Sequence, residues 1–148
     1  MSVTVNWQKR RSFTGTGRVG LTVPIDTTPE FGGDNAGFGP MELLLVGLGG
    51  CTAMDVISIL EKKRQNVTSL EVRVDGKRAT EHPRIFTHIE LEYRVGGVAL
   101  DPAAVERAVE LSETKYCSVM ATLSKTAKIE RKIVIEEVPS SPISSQPS

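Results

Sequence analysis

The sequence predicts an α+β protein in which helices pack on one face of an antiparallel sheet. Three observations carry this prediction: alternating segments open and close the chain, a long apolar segment begins at Pro40, and two shorter helical segments precede the last strand. The predicted order of elements is β-β-α-β-β-α-α-β. At 148 residues the chain is long enough for one domain, which we place at residues 1–138.

The first third of the chain is predicted to be β-structure. Residues 3–7 and 21–26 alternate between apolar and polar side chains, which is typical of half-buried strands. Pro24 places the second of these strands at an edge or an end of the sheet. The Thr-Gly-Thr-Gly run at 14–17 indicates a turn between the two strands. A glycine-rich loop over residues 29–39 follows.

The long apolar segment predicts a central helix. Pro40 occupies the first helical turn, where proline is favoured. Residues 43–60 are apolar nearly all round, which indicates a helix packed on several sides. Asp55 and several small polar residues interrupt this run, so it falls short of a membrane-spanning stretch. We therefore expect a core helix that ends near Gln65.

The second half of the chain continues the alternation of strands and helices. Residues 70–75 and 85–95 each have one apolar and one charged face, as in an antiparallel sheet solvated on one side. The Asp-Pro pair at 101–102 begins a helix with an acidic cap. A short helix opens at Cys117, and the last strand spans 129–135. The other face of the sheet needs cover, which the glycine-rich loop and the first hairpin, or else a homodimer, would supply.

Composition excludes some classes of partner. The formal net charge is zero and basic residues are scattered, so the sequence predicts no nucleic-acid or acidic-membrane partner. The N-terminus lacks the apolar run of an export signal, which favours a cytoplasmic protein with reduced cysteines. Neither the cysteines nor the histidines are closely spaced, so no zinc site is predicted. Residues 139–148 lack periodicity and are predicted to be disordered.

The two cysteines are the main candidates for chemistry. Cys51 lies in an almost uncharged run, and Cys117 lies at a predicted helix N-terminus, where free N–H groups and the helix dipole favour the thiolate. Free cysteines are also common as small buried hydrophobes, so inert packing and a redox pair both stay open. Asp55, one turn beyond Cys51, would raise a nearby thiol pKa unless it pairs with an arginine.

Glu42 is a further candidate in the first turn of the long helix. A carboxylate there complements the helix dipole, and a catalytic role is the alternative. Nine residues separate Glu42 from Cys51, which is about 900° of helical rotation and places them on opposite faces. They could share a site only if the glycines bend the chain or a second subunit completes the pocket.

Two motifs resemble the OsmC/Ohr family. One runs from Pro40-Met41-Glu42-Leu43 to Cys51-Thr52-Ala53-Met54-Asp55-Val56, and the other is Tyr116-Cys117-Ser118-Val119. The resemblance covers residues 1–138 and the order of elements. It implies an OsmC-like fold, an intertwined homodimer with two sites at its interface, and a thiol peroxidase that reduces organic and inorganic hydroperoxides in oxidative stress defence.

The resemblance also implies roles for individual residues. Cys51 would be the peroxidatic thiol, Cys117 the resolving thiol, and Glu42 the carboxylate that helps to hold a catalytic arginine. No arginine stands between Ile25 and Pro40, and Arg18 could match the arginine of the Ohr branch. A dithiol donor would restore the thiols, and no metal, haem or flavin is implied. The alternative is a non-catalytic dimer that binds a small ligand or senses peroxide.

Overall fold

The computed structural model describes residues 1–139 and confirms the α+β class. The predicted tail at 139–148 lies outside the described residues, apart from Pro139. The chain divides into two compact units, Met1–Val46 and the residues from Gly47 on, and each is described by itself. The strands and helices are β1 (Thr4–Lys9), β2 (Ser12–Thr16), β3 (Thr22–Ile25), α1 (Pro40–Lys62), β4 (Asn66–Arg78), β5 (Phe86–Val98), α2 (Pro102–Leu111), α3 (Ser118–Leu123) and β6 (Lys128–Glu137).

The N-terminal sheet has three antiparallel strands in the order β1-β2-β3, where the sequence predicted two. The run at 14–17, which we interpreted as a turn, belongs largely to β2. Chain reversals lie on either side, at Arg10 (φ 49°) and Gly20 (φ 81°). Gly15 sits inside β2 because its missing side chain leaves room: a Cβ there would lie 3.2 Å from Cγ1 of Val23. Glycine in this position marks close packing between strands and no turn.

One buried carboxylate organises the loop that follows β3. Asp26 is 2% exposed and accepts backbone N–H groups from Thr27 at 2.8 Å and from Asp34 and Ala36 at 3.1 Å each. These hydrogen bonds, with that of Thr27 the strongest cause, hold the pKa of Asp26 below its usual range although burial acts in the opposite direction. The loop is therefore tied back to the end of β3.

Helix α1 runs from Pro40 to Lys62 without a break at its glycines. Its buried positions recur every four residues and form one stripe, comprising Leu48, Thr52, Val56 and Leu60. By length and composition it could cross a membrane, with 22% of its most apolar window buried. Leu44, Val46 and Met54 stay exposed. Within residues 1–139, α1 is therefore not packed on several sides as the sequence predicted.

The C-terminal sheet is mixed, in the order β4-β5-β6. Strands β4 and β5 are antiparallel, whereas β5 and β6 are parallel, with Tyr93 opposite Ile133. The predicted antiparallel sheet is thus wrong for the last strand. The reason is the connection: the chain leaves β5, passes through α2 and α3, and returns in the same direction, as a helical crossover requires.

The crossover positions the second cysteine. Asp101 caps α2 as predicted, since its carboxylate accepts the N–H of Ala103 at 3.0 Å. A single π-helical turn, Ser112–Tyr116, follows α2, and the N–H of Cys117 donates to the carbonyl oxygen of Ser112 at 2.8 Å. Cys117 is then the N-cap residue of α3. Ser112 and Cys117 are therefore fixed to one another through the backbone.

Candidate redox site

Folding brings the two cysteines together. Cys51 is half-buried on α1, Cys117 is 3% exposed, and both thiols are free. The thiols lie near 3 Å from one another. A carboxylate oxygen of Asp55 belongs to the same cluster, in which all three donor atoms lie within 4.8 Å of one another. The site therefore holds two sulfur atoms and one carboxylate.

The environment of Cys117 keeps its sulfur protonated. Burial raises the pKa of this thiol most, and the neighbouring Cys51 and Asp55 raise it further. The N–H of Met120, 3.3 Å from Sγ, opposes the rise without reversing it. The predicted preference for a thiolate at this helix N-terminus is thus outweighed by desolvation. Cys117 rests as a thiol.

Asp55 is held by a hydroxyl group from the other side of the site. The hydroxyl of Ser112 donates to Oδ2 of Asp55 at 2.9 Å. Ser112 is completely buried at the end of α2. The structure thus supplies a hydroxyl partner where the sequence left an arginine as one possibility.

A chain of hydroxyl groups leads from Ser112 into the core. Oγ1 of Thr52 lies 2.8 Å from Oγ of Ser112 and 2.9 Å from the hydroxyl of Tyr93. Thr52, Tyr93 and Ser112 all have no exposed surface. Burial raises the pKa of Tyr93 above its usual range, so its hydroxyl stays protonated. Each buried hydroxyl is hydrogen-bonded, as buried polar groups require.

The outer end of this chain is an ion pair. The Tyr93 hydroxyl lies 3.3 Å from Oε1 of Glu113, and Nη1 of Arg131 binds the other oxygen of Glu113. Nη2 of Arg131 binds Glu106 nearer the surface. Burial is the largest influence on Glu113 and raises its pKa, although Arg131 acts in the opposite direction. Glu113 therefore takes up a proton more readily than an ordinary glutamate.

A cavity of about 340 Å³ adjoins the site on the Asp55 side. Its apolar wall comes from Ile59, Leu111 and Tyr116, and the lysines at 62 and 63 also line it. A small molecule in this cavity would reach the carboxylate of Asp55. The cavity therefore adjoins the site through Asp55.

The cluster also resembles part of a metal site. Two thiols and one carboxylate are donors that zinc accepts, although Cys51 and Cys117 are 66 positions apart in the sequence. Three donors are one short of the four that structural zinc sites use.

Glu42 and Arg18, the other predicted site residues, belong to the N-terminal unit. Oε2 of Glu42 accepts the N–H of Gly39 at 2.7 Å, so this carboxylate caps the start of its own helix. Arg18 is exposed in the turn that joins β2 to β3. Their catalytic roles stay predictions.

The hydroxyl chain was missed by sequence reasoning, although a signal was present. Val105, Ala108 and Val109 share the buried face of α2, and Ser112 continues that face at the expected spacing. A serine at a core position of an amphipathic helix predicts a buried hydrogen-bond partner. Tyr93 carried no comparable signal, because it follows the alternation of its strand like any core residue.

Comparison with known proteins places this geometry in a family. The model of the family of OsmC-like proteins matches residues 32–132. Protein YhfA of Escherichia coli K12 is 44% identical over 129 residues, which are 87% of this chain and 93% of YhfA. A hypothetical protein from Aquifex aeolicus VF5 is 35% identical with a TM-score of 0.77, covering 92% of this chain and 97% of that one.

A more distant structure has a peroxide-related description. The organic hydroperoxide resistance protein OsmC from Legionella pneumophila has a TM-score of 0.68 over 90% of this chain and 96% of its own. At 12% identity this likeness shows the fold alone. The family match covers more than half of the chain and includes both cysteines. This protein therefore belongs to the OsmC/Ohr family.

Proposed function

We propose that the protein is a thiol-dependent peroxidase that reduces organic hydroperoxides, and inorganic ones as well, in defence against oxidative stress. The observation that carries the proposal is the adjacency of the two thiols, which belong to separate segments of the chain. Core packing alone does not require two sulfur atoms in contact beside a carboxylate. Membership of the OsmC/Ohr family and structural similarity to a hydroperoxide resistance protein support the same function.

The reaction takes two steps at the protein. The sulfur of Cys51 attacks one peroxide oxygen, the O–O bond breaks, and alcohol or water leaves with the electron pair of that bond. Cys51 is then a sulfenic acid. The sulfur of Cys117 displaces its hydroxyl group, which leaves as water, and a disulfide forms. A dithiol donor reduces this disulfide by exchange and restores both thiols.

The exposure of the two thiols supports this division of roles. Cys51 is the more accessible of the pair and can meet a substrate from outside. Cys117 is buried, and its raised pKa makes it a poor first nucleophile toward a peroxide. It is well placed to attack a sulfur atom that is already next to it.

A cation is needed to make the first step fast. Lowering a thiol pKa alone gains only a few-fold in rate, because nucleophilicity falls with pKa. Charge that develops on the peroxide oxygens is stabilised best by a fixed cation. We assign this role to Arg18, with Glu42 holding it. The protein acts as a homodimer, whose second copy covers the exposed apolar side chains of α1.

Thiol counting after hydroperoxide addition tests the proposal. One equivalent of cumene hydroperoxide should consume two thiols per chain, and peptide mapping should recover the Cys51–Cys117 bridge. Cys51→Ser should abolish hydroperoxide consumption. Cys117→Ser should still consume one equivalent and leave a trappable sulfenic acid on Cys51. Full turnover by Cys51→Ser would overturn the assignment.

The geometry of Asp55 favours a peroxide sensor as the second candidate. The carboxylate of Asp55 lies within 4.8 Å of both sulfur atoms and raises the pKa of Cys117, which would slow turnover. A sensor would form the same disulfide and stay oxidised in the presence of a dithiol donor. A non-catalytic ligand-binding dimer would leave both thiols unreacted. Repeated turnover with dithiothreitol separates the peroxidase from both.

A further inference from the structure

We propose that Asp55 is an acid–base residue of this site: it carries the proton from the Cys117 thiol to the leaving hydroxyl when the disulfide forms, and Ser112, Thr52 and Tyr93 position its carboxylate. The inference rests on the proposed function for its physiological setting. The interaction of the three side chains is observed independently of that function.

The resolving step needs a proton to move. Cys117 starts as S–H, and its sulfur supplies the electron pair of the new S–S bond. The S–O bond of the Cys51 sulfenic acid breaks, and its electron pair leaves with the oxygen. Asp55 takes the proton from sulfur as the S–S bond forms and gives it to that oxygen, so water leaves and the carboxylate is unchanged. No further oxidant or reductant is involved.

The position of Asp55 suits both halves of this transfer. Its carboxylate oxygen lies within 4.8 Å of the sulfur that loses the proton and of the sulfur that carries the leaving oxygen. Ser112 occupies one acceptor position of this carboxylate, which has further lone pairs available to a thiol hydrogen. A carboxylate that acts in both directions is a usual form of general acid–base catalysis.

The hydroxyl chain holds Asp55 in one orientation. Ser112 has one hydroxyl hydrogen and gives it to Asp55, so the hydrogen between Thr52 and Ser112 comes from Thr52. The Tyr93 hydroxyl lies 2.9 Å from Oγ1 of Thr52 and donates to Oε1 of Glu113 at 3.3 Å, so it ties the far end of the chain to the Glu113–Arg131 ion pair. Such a chain is cooperative, and it fixes the carboxylate more firmly than one hydrogen bond would.

Other titratable groups also face Asp55. Cys51 lies one turn away on the same helix, and Cys117 faces it from the segment opposite. Tyr116 and the lysines at 62 and 63 line the cavity on its open side. The pH dependence of the resolving step would reflect the ionisation of all of these groups. The test therefore compares variants at one fixed pH.

The experiment follows the resolving step alone. Cys51 is converted to a mixed disulfide with thionitrobenzoate, and attack by Cys117 releases the coloured thiolate, which stopped-flow absorbance records. Asp55→Asn should slow this release about 100-fold or more, the size usual for a lost acid–base group. The amide still accepts the Ser112 hydrogen bond, so the geometry is kept. The matched control is Asp75→Asn, which makes the same change at an exposed position of β4. It should release thionitrobenzoate at the wild-type rate.

Chemical rescue separates proton transfer from a structural role. In Asp55→Ala, formate added to the buffer can enter the adjoining cavity and should restore release in proportion to its concentration. Chloride at the same ionic strength should not. Release by Asp55→Asn at the wild-type rate, or an Asp55→Ala variant that is folded by circular dichroism but insensitive to formate, would overturn the inference.

The same variants distinguish this inference from the proposed function. Hydroperoxide should convert Asp55→Asn to a Cys51 sulfenic acid no more slowly than wild type, whereas disulfide formation should be delayed. If wild type ignores hydroperoxide while thionitrobenzoate release depends on Asp55, the peroxidase proposal fails and the role of Asp55 stands. If Asp55→Asn and Asp55→Ala both form the disulfide at the wild-type rate while hydroperoxide is consumed, the peroxidase proposal stands and the role of Asp55 fails.

Discussion

The hydroxyl of Tyr93 lies 2.9 Å from Oγ1 of Thr52, and this contact joins the middle of strand β5 to the middle of helix α1. Both residues are fully buried. The contact is part of the chain of buried hydroxyl groups that runs through the core. It also links the sheet to the helix that carries Cys51.

Tyr93→Phe should therefore destabilise the fold. Without this hydroxyl, Thr52 and Glu113 each lose one hydrogen-bond partner. Leaving a buried polar group unpaired costs about 1–3 kcal/mol. Urea unfolding at fixed protein concentration measures the difference in the free energy of unfolding. Tyr116→Phe is the control: Tyr116 is 49% exposed, and its change should stay within about 0.5 kcal/mol. Equal stability of the two variants would contradict the prediction.

The loop held by Asp26 should weaken in acid. Because hydrogen bonds lower the pKa of Asp26 in the folded state, its contribution is present above the unfolded pKa of about 3.9 and is lost as the pH falls through the folded value. Asp26→Asn should lower the thermal midpoint at pH 7, and the gap from wild type should close on acidification. Thermal melts between pH 7 and pH 2 measure this gap. A gap that does not depend on pH would refute the role of the charge.

Two glycines should respond to alanine in opposite directions. A Cβ at Gly97 would lie 2.2 Å from the carbonyl oxygen of Asn66, so the backbone of the β4–β5 pair must shift, at a cost of about 1–3 kcal/mol. A Cβ at Gly50 has nothing within 4 Å, and alanine there should stabilise α1 by about 0.5–1 kcal/mol. Urea unfolding of both variants tests the pair. A stable Gly97→Ala variant would contradict this packing.

The exposed apolar surface of α1 predicts the assembly state. Met54 is 75% exposed beside Ile57 and Leu70, an arrangement that a second copy of the chain would cover. Met54→Glu should raise the dimer dissociation constant at least about 10-fold, because a charge would be buried in an apolar interface. Sedimentation velocity across a concentration series measures it, with exposed Thr80→Glu as control. A wild-type dissociation constant for Met54→Glu would exclude this face.

Alternation and capping residues predicted most of the elements. Pro40 and Asp101 begin the helices that the structure shows. The pattern failed at Gly15, where glycine serves close strand packing instead of a turn. It also failed for the direction of β6, because alternation reports which face is buried and carries no information about strand direction.

The site was predictable only in part. Periodicity gave no reason for Cys51 and Cys117 to meet, and their proximity followed from family resemblance alone. The hydroxyl chain depends on three long-range contacts, such as the 60 residues between Thr52 and Ser112. Local sequence patterns do not encode which buried hydroxyl faces which. Ser112, which continues the apolar face of α2, was the sign that a buried hydrogen-bond partner exists.

The π-helical turn at Ser112–Tyr116 sets the direction in which the chain reaches Cys117, so the length of this turn matters as well as its residues. Its middle side chains, Thr114 and Lys115, are exposed, so many substitutions there should leave the site intact. Removing one residue would convert the wide turn to ordinary helix and rotate everything beyond it by about 100°. Cys117 would then face away from its partner. Substitutions at Thr114 and Lys115 are thus tolerated, whereas Ser112, Glu113 and the length of the turn are fixed by the site.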